Sequence, residues 1–317
     1  MRQNCDGSAN VHVSNSEISS FRRCRRRWWL GNYRKLRKKE ERITGPLKLG
    51  TRIHKALEVK YSLTPGDPVA AIRAEYEKAR NEVGQDDATT RDELNKEADL
   101  ALIMIEGYVE WVYDTGIDDD IEVIAVEQEL AADFEGLRVP VQIIGKLDTR
   151  VRRKTDGRLF SMDHKTCASF DGLTKTLEIN EQPKMYQLLE RLTLPEDQYV
   201  TGGMLNMLRK VKRTASAKPP FYSREAIHHT DVGLRNYWYR LLGILSDMID
   251  VVEALDNGTD PNIVAYPNPT RDCAWDCEFR AVCPMFDDGS HAEGVLESAY
   301  VIHNPLARYS SEAEVSL

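Results

Sequence analysis

The feature that most narrows the fold of this chain is a change of hydrophobic period. Through residues 89 to 114, Ala98, Ala101, Leu102, Ile105, Tyr108, Val109 and Val112 recur at helical spacing, the stripe of a helix with one buried face. From residue 121 the spacing drops to two. Residues 121 to 132 and 138 to 153 alternate as strands around a turn at Glu135-Gly136, and Arg158 to Lys165 follows Asp156-Gly157 as a third. Helical patterns precede this meander at Ser16 to Asn32, Leu47 to Tyr61 and about 67 to 84. They return at about 178 to 192 and from Asp231 to about Leu255, with strands read at Gln198 to Arg209 and Pro220 to His229. The pattern predicts an α/β fold.

With 317 residues, 41% of them hydrophobic, the chain can bury one large core or two modest ones. No run approaches the roughly 18 apolar residues of a membrane helix, and Met1 to Asn10 lacks the basic and apolar regions of a signal peptide. Six cysteines in that setting predict a reducing, cytoplasmic compartment, where cysteine clusters hold metals more often than they form disulfides. The net charge of -8 conceals an asymmetry: Phe21 to Arg42 holds 8 Arg and 3 Lys against Glu40 and Glu41. A basic stripe on an acidic body is compatible with phosphate contacts, and equally with a solvated helix face. A second basic stretch, Arg209, Lys210, Lys212, Arg213, Lys218 and Arg224, is expected to be flexible.

Alternation along the second strand of the meander sends Gln142, Lys146, Asp148 and Arg150 to the face opposite Val141, Ile143 and Leu147. In the next strand Asp163 and Lys165 share a face and His164 points the other way. If the hairpin aligns its polar faces, two carboxylates and one ammonium converge, a set able to hold a hard divalent cation and orient an attacking water. Taken alone, Asp163 and Lys165 also read as a surface salt bridge, and His54 as an ordinary helix histidine. The order of the motifs adds information: Gly50-Thr-Arg-Ile-His54 opens one helix, Asp148 and Asp163-His-Lys165 follow, and Gln182-Pro-Lys-Met-Tyr186 opens the next helix.

In this order the motifs resemble those of the RecB-like exonuclease branch of the PD-(D/E)XK nuclease superfamily, over about residues 14 to 289. The resemblance implies a restriction-endonuclease-like core with a mixed central sheet flanked by helices, a helical insertion at about 63 to 117, and tails at 1 to 13 and 290 to 317. It further implies that His54, Asp148, Asp163 and the backbone carbonyl of His164 bind Mg2+ or Mn2+, the imidazole favouring Mn2+. Asp148, Asp163 and Lys165 would be the catalytic residues, and Gln182 and Tyr186 would contact the substrate or support the site.

Near the C-terminus lies Cys273-x3-Cys277-x5-Cys283, with Cys24 far upstream. Three near and one remote cysteine resemble the iron-sulfur staple of AddB nucleases and CRISPR-associated RecB-like exonucleases, although there the first spacing is usually two residues. The resemblance implies a [4Fe-4S] cluster on Cys24, Cys273, Cys277 and Cys283, in a subdomain built from both chain ends. Structural zinc and incidental thiols are the alternatives. Cys5 and Cys167 fall outside the pattern as free thiols. Arg22, Arg23, Arg26 and Arg27 would track a DNA strand, and the interleaved Trp28, Trp29 and Tyr33 would suit base stacking, core packing being the other reading for Trp29. Together these features predict a metal-dependent DNA exonuclease of recombination, repair or phage DNA processing, in a prokaryotic or phage-infected cell. DNA is the expected partner. No G-x-x-x-x-G-K-[ST] loop occurs, so unwinding would need a separate helicase or recombination protein. A processing nuclease of CRISPR adaptation and a non-catalytic iron-sulfur DNA-binding protein are the competing expectations.

Overall fold

The computed structural model describes residues 11–40, 42–84 and 87–309. The free thiol expected at Cys5, the first ten residues of the expected N-terminal tail and residues 310–317 of the C-terminal one lie outside the described residues. Strand β1 (Val11–Ser14) leads into α1 (Asn15–Arg23), the short α2 (Arg25–Trp28), a π-helical turn and β2 (Leu36–Lys38). Helices α3 (Pro46–Tyr61), α4 (Pro68–Glu82) and α5 (Ala88–Thr115) precede β3 (Ile121–Phe134), β4 (Val141–Arg153) and β5 (Leu159–Cys167). The chain continues through α6 (Asp171–Thr176), α7 (Gln182–Thr193), β6 (Val200–Arg209) and β7 (Tyr222–His228), then α8 (Asp231–Asp256), α9 (Pro261–Val264), α10 (Ala292–Ala299) and β8 (Tyr300–Ile302). Two compact units result: one from the described parts of Met1–Glu41, Ala131–Gly145 and Arg235–Leu317, the other from those of Arg42–Leu130 and Lys146–Leu234.

The second unit contains a mixed sheet flanked by helices. Within it β4 pairs antiparallel with β5 (Thr149↔Met162), β5 parallel with β6 (Asp163↔Leu205), and β6 antiparallel with β7 (Asn206↔Arg224). One sheet face meets α3, α4 and α5, where Ile53, Leu57, Ile72, Leu94 and Ile105 pack with Val151, Phe160, Met162 and Leu208. Each such fully buried aliphatic side chain contributes about 1.5–3 kcal/mol. On the other face Leu177 packs with Leu205, Met207 and Ile227. Local chemistry sets the ends of α5: Asp87 accepts a hydrogen bond from the Thr90 N–H at 2.9 Å, and Gly116 closes the helix at φ +61°, a left-handed conformation.

In the first unit β1 runs parallel to the start of β4 (Val11↔Val141), so the last residues of the expected N-terminal tail form a strand. The single helix expected over Ser16 to Asn32 is interrupted. Cys24 is extended (φ -163°, ψ 111°), its N–H ending α1 on the Ser20 carbonyl at 3.0 Å and its carbonyl accepting from the Trp28 N–H at 3.0 Å. Both helix ends thus keep backbone partners while the Cys24 side chain leaves the helical line. Trp28 and Trp29 are buried: Trp28 packs edge-on against Phe21 and donates to Glu17 at 3.0 Å, and Trp29 stands against Phe286. Packing therefore replaces the base stacking expected of Trp28, and for Trp29 it is the core reading that the structure shows. The expected loose tail is likewise corrected between residues 292 and 302, where α10 buries Ala292 and Leu296 and β8 pairs with β2 (Leu36↔Ile302).

Arg150, expected on a polar strand face, is instead buried against Glu190. Its Nε donates to Glu190 Oε1 at 3.1 Å and its guanidinium also reaches the Gln198 carbonyl, while Glu190 Oε2 accepts from the Val200 N–H at 2.9 Å. Removing one partner strands the other charge in the interior. Glu190→Ala should therefore lower the unfolding free energy by about 3 kcal/mol or more, read as a drop in the denaturant midpoint. A loss under about 1 kcal/mol, the size of a surface pair, would contradict this account.

Candidate active site

One step beyond the registered pair Thr149↔Met162, β4 and β5 carry Asp148 and Asp163, so the hairpin presents two carboxylates on neighbouring strands. Asp148 Oδ2 accepts from the His164 backbone N–H at 3.0 Å and lies 3.3 Å from His54 Nδ1. Asp163 Oδ2 stands 2.6 Å from Lys165 Nζ, while its Oδ1 accepts from Gln182 Nε2 at 3.1 Å. The same amide donates to the Tyr186 hydroxyl at 2.8 Å. The structure thus brings His54, Asp148, Asp163, Lys165, Gln182 and Tyr186 together.

Each element supplies its residue for a local reason. His54 lies on α3, whose Leu49, Ile53, Ala56 and Leu57 bury the core-facing side. Gln182 and Tyr186 lie four apart on α7 and so share one helix face. Strand alternation puts Asp163 and Lys165 on the same side and sends the His164 ring into the core, where it is 2% exposed. His164 serves this side through its main chain. The His164 main chain also lies beside His54, where it favours the charged imidazole.

Burial pushes the Asp148 carboxyl up to about 7, with the charges of Asp163 and Glu127 adding to the effect and the His164 N–H and Lys165 opposing it. Burial, helped by Lys165, holds the His54 imidazole below its ordinary value and hence neutral, the form that ligates metals. Glu127 on β3 was not singled out from the sequence. It pairs with Lys146 at 2.7 Å and sits at φ +48°, a left-handed kink inside a strand whose alternating acids carry no signal of it. Among the described residues no group of three His, Cys, Asp or Glu stands at the spacing of a ready-made metal site. The donors pair with one another instead, His54 with Asp148 and Asp163 with Lys165. Their chemistry nevertheless fits a divalent cation, since two mutually repelling, poorly solvated carboxylates gain most from a compensating charge.

The four cysteines of the expected cluster all lie in the first unit, half-buried and free. Burial raises the Cys277 thiol, with Cys273 and Cys24 adding to it, and burial likewise raises Cys283, again with Cys24 contributing; among the described residues these cysteines too form no ready-made metal site. Backbone N–H groups of Asn268 and Thr270 donate to Cys24 and Cys273 Sγ, each at 3.4 Å. The neighbouring arginines are largely engaged by acids of the same segment. Arg26, 2% exposed, holds Asp287 through two 2.9 Å hydrogen bonds and also reaches the Cys283 carbonyl at 3.1 Å. Arg23 pairs with Asp276 and Asp272, and Arg27 with Asp276 at 3.3 Å. Burial takes Arg26 out of the phosphate-contact role expected for it. Arg22 borders a cleft of about 330 Å3 with Phe21, Arg25 and Tyr266; the Arg25 guanidinium, not anticipated from the sequence, lies over both rings at 4.9 and 5.2 Å.

A family model described as the PD-(D/E)XK nuclease superfamily matches residues 12–284. No curated protein matches the chain. Among solved structures, the protein SSO0001 is similar at 15% identity, with 87% of each chain covered and a TM-score of 0.39. A candidate exonuclease from Eubacterium rectale is similar at 12% identity, covering 78% of this chain and 82% of that one, with a TM-score of 0.48. An alkaline exonuclease from Laribacter hongkongensis is similar at 14% identity, covering 65% of this chain and 94% of that one, with a TM-score of 0.28. The family model carries the assignment.

A carboxyl whose value is raised on folding binds, between its usual range and about 7, a proton that the unfolded chain releases. Its contribution to stability is therefore present at low pH and falls as pH rises through that window. Asp148→Asn removes this term. In metal-free buffer the variant should melt several degrees above the parent chain near pH 8, with the difference closing toward pH 4 or so. Parallel melting curves of parent and variant across that range would contradict the raised value.

Proposed function

The chain belongs to the PD-(D/E)XK nuclease superfamily, and from that membership we propose that it is a metal-dependent DNA exonuclease of the RecB-like type, acting in recombination, repair or phage DNA processing. The observation that carries this reading is the meeting of His54, Asp148, Asp163 and Lys165 at one end of the β4–β5 pair. His54, Asp148, Asp163 and the His164 carbonyl would hold Mg2+ or Mn2+, which when bound supplies Lewis-acid polarisation of the scissile phosphate. Lys165, anchored 2.6 Å from Asp163, orients the attacking water through its ammonium donors. Gln182 holds the Asp163 carboxylate from the other side, and Tyr186 fixes that amide in turn.

The aromatic and basic cleft of Arg22, Arg25, Phe21 and Tyr266 supports contact with a nucleic-acid strand, guanidinium and ring faces being the groups that receive bases and phosphates. Strand unwinding would come from a separate helicase or recombination partner. In the first unit we read Cys24, Cys273, Cys277 and Cys283 as the ligands of a [4Fe-4S] cluster with a structural role. The charge coupling of Cys277 to Cys273 and Cys24 and of Cys283 to Cys24, with backbone N–H donors on Cys24 and Cys273, supports this reading.

Digestion of end-labelled single- and double-stranded DNA tests the activity. Parent protein should release short products with Mn2+ or Mg2+ and none with chelator, while Asp163→Ala and Lys165→Ala should lose at least about 100-fold in rate and still bind DNA. Near-normal turnover by either variant would sink the catalytic assignment.

Metal analysis tests the cluster. Anaerobically purified protein should contain iron and absorb broadly near roughly 400 nm, with Cys283→Ala losing both. Zinc in place of iron would overturn the cluster assignment.

A further inference from the structure

Behind the candidate active site, on the sheet face covered by α3 and α5, a polar row crosses three strands. His164 on β5 is registered with Asn206 on β6, and Asn206 with Arg224 on β7. His164 and Asn206 are 2% and 0% exposed, and the Arg224 side chain 5%. A polar row this deep is costly unless every group is satisfied, and here the partners are present. Arg224 pairs with Asp118 at 2.8 Å and donates to the hydroxyls of Tyr61 and Tyr108 at 2.8 and 3.0 Å.

The hydrogen-bond roles along this row follow from the arginine. A guanidinium can only donate. Arg224 Nε lies 3.2 Å from the Asn206 side chain, so the atom facing it is the amide oxygen, which the Tyr108 hydroxyl also approaches at 3.1 Å. The Asn206 amide nitrogen therefore faces His164 Nδ1 at 3.0 Å. That nitrogen also only donates, so Nδ1 offers its lone pair and the ring proton resides on Nε2, which meets Thr149 Oγ1 at 3.3 Å. The Tyr61 ring stacks on the imidazole at 5.4 Å and 19°. The ring is thereby held on two edges and one face, while its own main-chain N–H donates to Asp148 and the His54 ring stands edge-on at 6.0 Å.

We propose that Asn206 and Arg224 are positioning residues of this site, setting the Nε2–H tautomer of His164 from the neighbouring strands and so holding the peptide groups that orient Asp148 and face His54. The link to metal binding rests on the nuclease reading above; the tautomer does not. The test uses the full chain labelled with 15N-histidine. Long-range nitrogen–proton correlation spectra should show His164 as the Nε2–H tautomer in the parent protein. Asn206→Asp, of the same shape but accepting where the amide donated, should put a proton on Nδ1 and weaken Mn2+ binding by about 10–100-fold, as loss of an outer-shell partner does, read by calorimetry.

Arg224→Gln frees the Asn206 amide to turn and should disturb the same His164 resonances. A parent spectrum with the proton on Nδ1 overturns the proposal without any variant, so a variant that fails to fold leaves it testable. An Asn206→Asp protein with unchanged His164 pattern and unchanged Mn2+ affinity also overturns it. A parent chain that binds Mn2+ with the Nε2–H tautomer but leaves DNA intact would overturn the nuclease reading and leave this one standing.

Discussion

Two carboxylates on neighbouring strands, held where water is scarce, form the constraint on which the site unit depends. Burial disfavours the charge of Asp148, and the neighbouring Asp163 disfavours it further. The arrangement persists because neighbours meet both acids: the His164 N–H and the His54 ring for Asp148, Lys165 and Gln182 for Asp163. Those neighbours arrive from β5, α3 and α7, so the packing of three elements converges on one pair of acids. Cooperative placement of this kind costs stability and is characteristic of sites that bind cations or shift protons.

The first unit solves a different electrostatic problem. Its arginine-rich segment would repel itself if left bare, yet Asp272, Asp276 and Asp287 from the cysteine-rich segment take up Arg23, Arg26 and Arg27. Arg26 shows the logic most clearly, since a buried guanidinium is tolerable only with nearly all its donors satisfied. It reaches Asp287, Asn262 and the Cys283 carbonyl. The arginines thus tie the two stretches of chain that carry the cysteines. A cluster on the thiols would add a second tie where ion pairs already provide one.

The periodic elements were legible before any coordinates. The stripes of α3, α4, α5 and α8 and the alternation of β3, β4 and β5 come from side chains repeating on one face. Elements without a period were not legible. β1 and β8 have four and three residues, and α10 buries only Ala292 and Leu296, too few positions to establish a pattern. The break at Cys24 was hidden for a related reason, because the residues on both sides of it suit a helix and only the backbone angles of one position depart.

For the site, spacing alone was enough to name the candidates: acids two residues from a lysine or alternating along a strand, a histidine within one helix, and Gln182 and Tyr186 opening another. Strand and helix geometry convert such spacings into shared faces without reference to the rest of the fold. Which charges remain available and which are consumed depends on the packed fold. Arg26, Arg150 and Arg224 read as surface cations, yet each is buried against Asp287, Glu190 or Asp118 from a segment remote in sequence. Charge in a sequence is a count, whereas its cost and its chemistry depend on the solvent and counter-charges that three-dimensional packing removes or supplies.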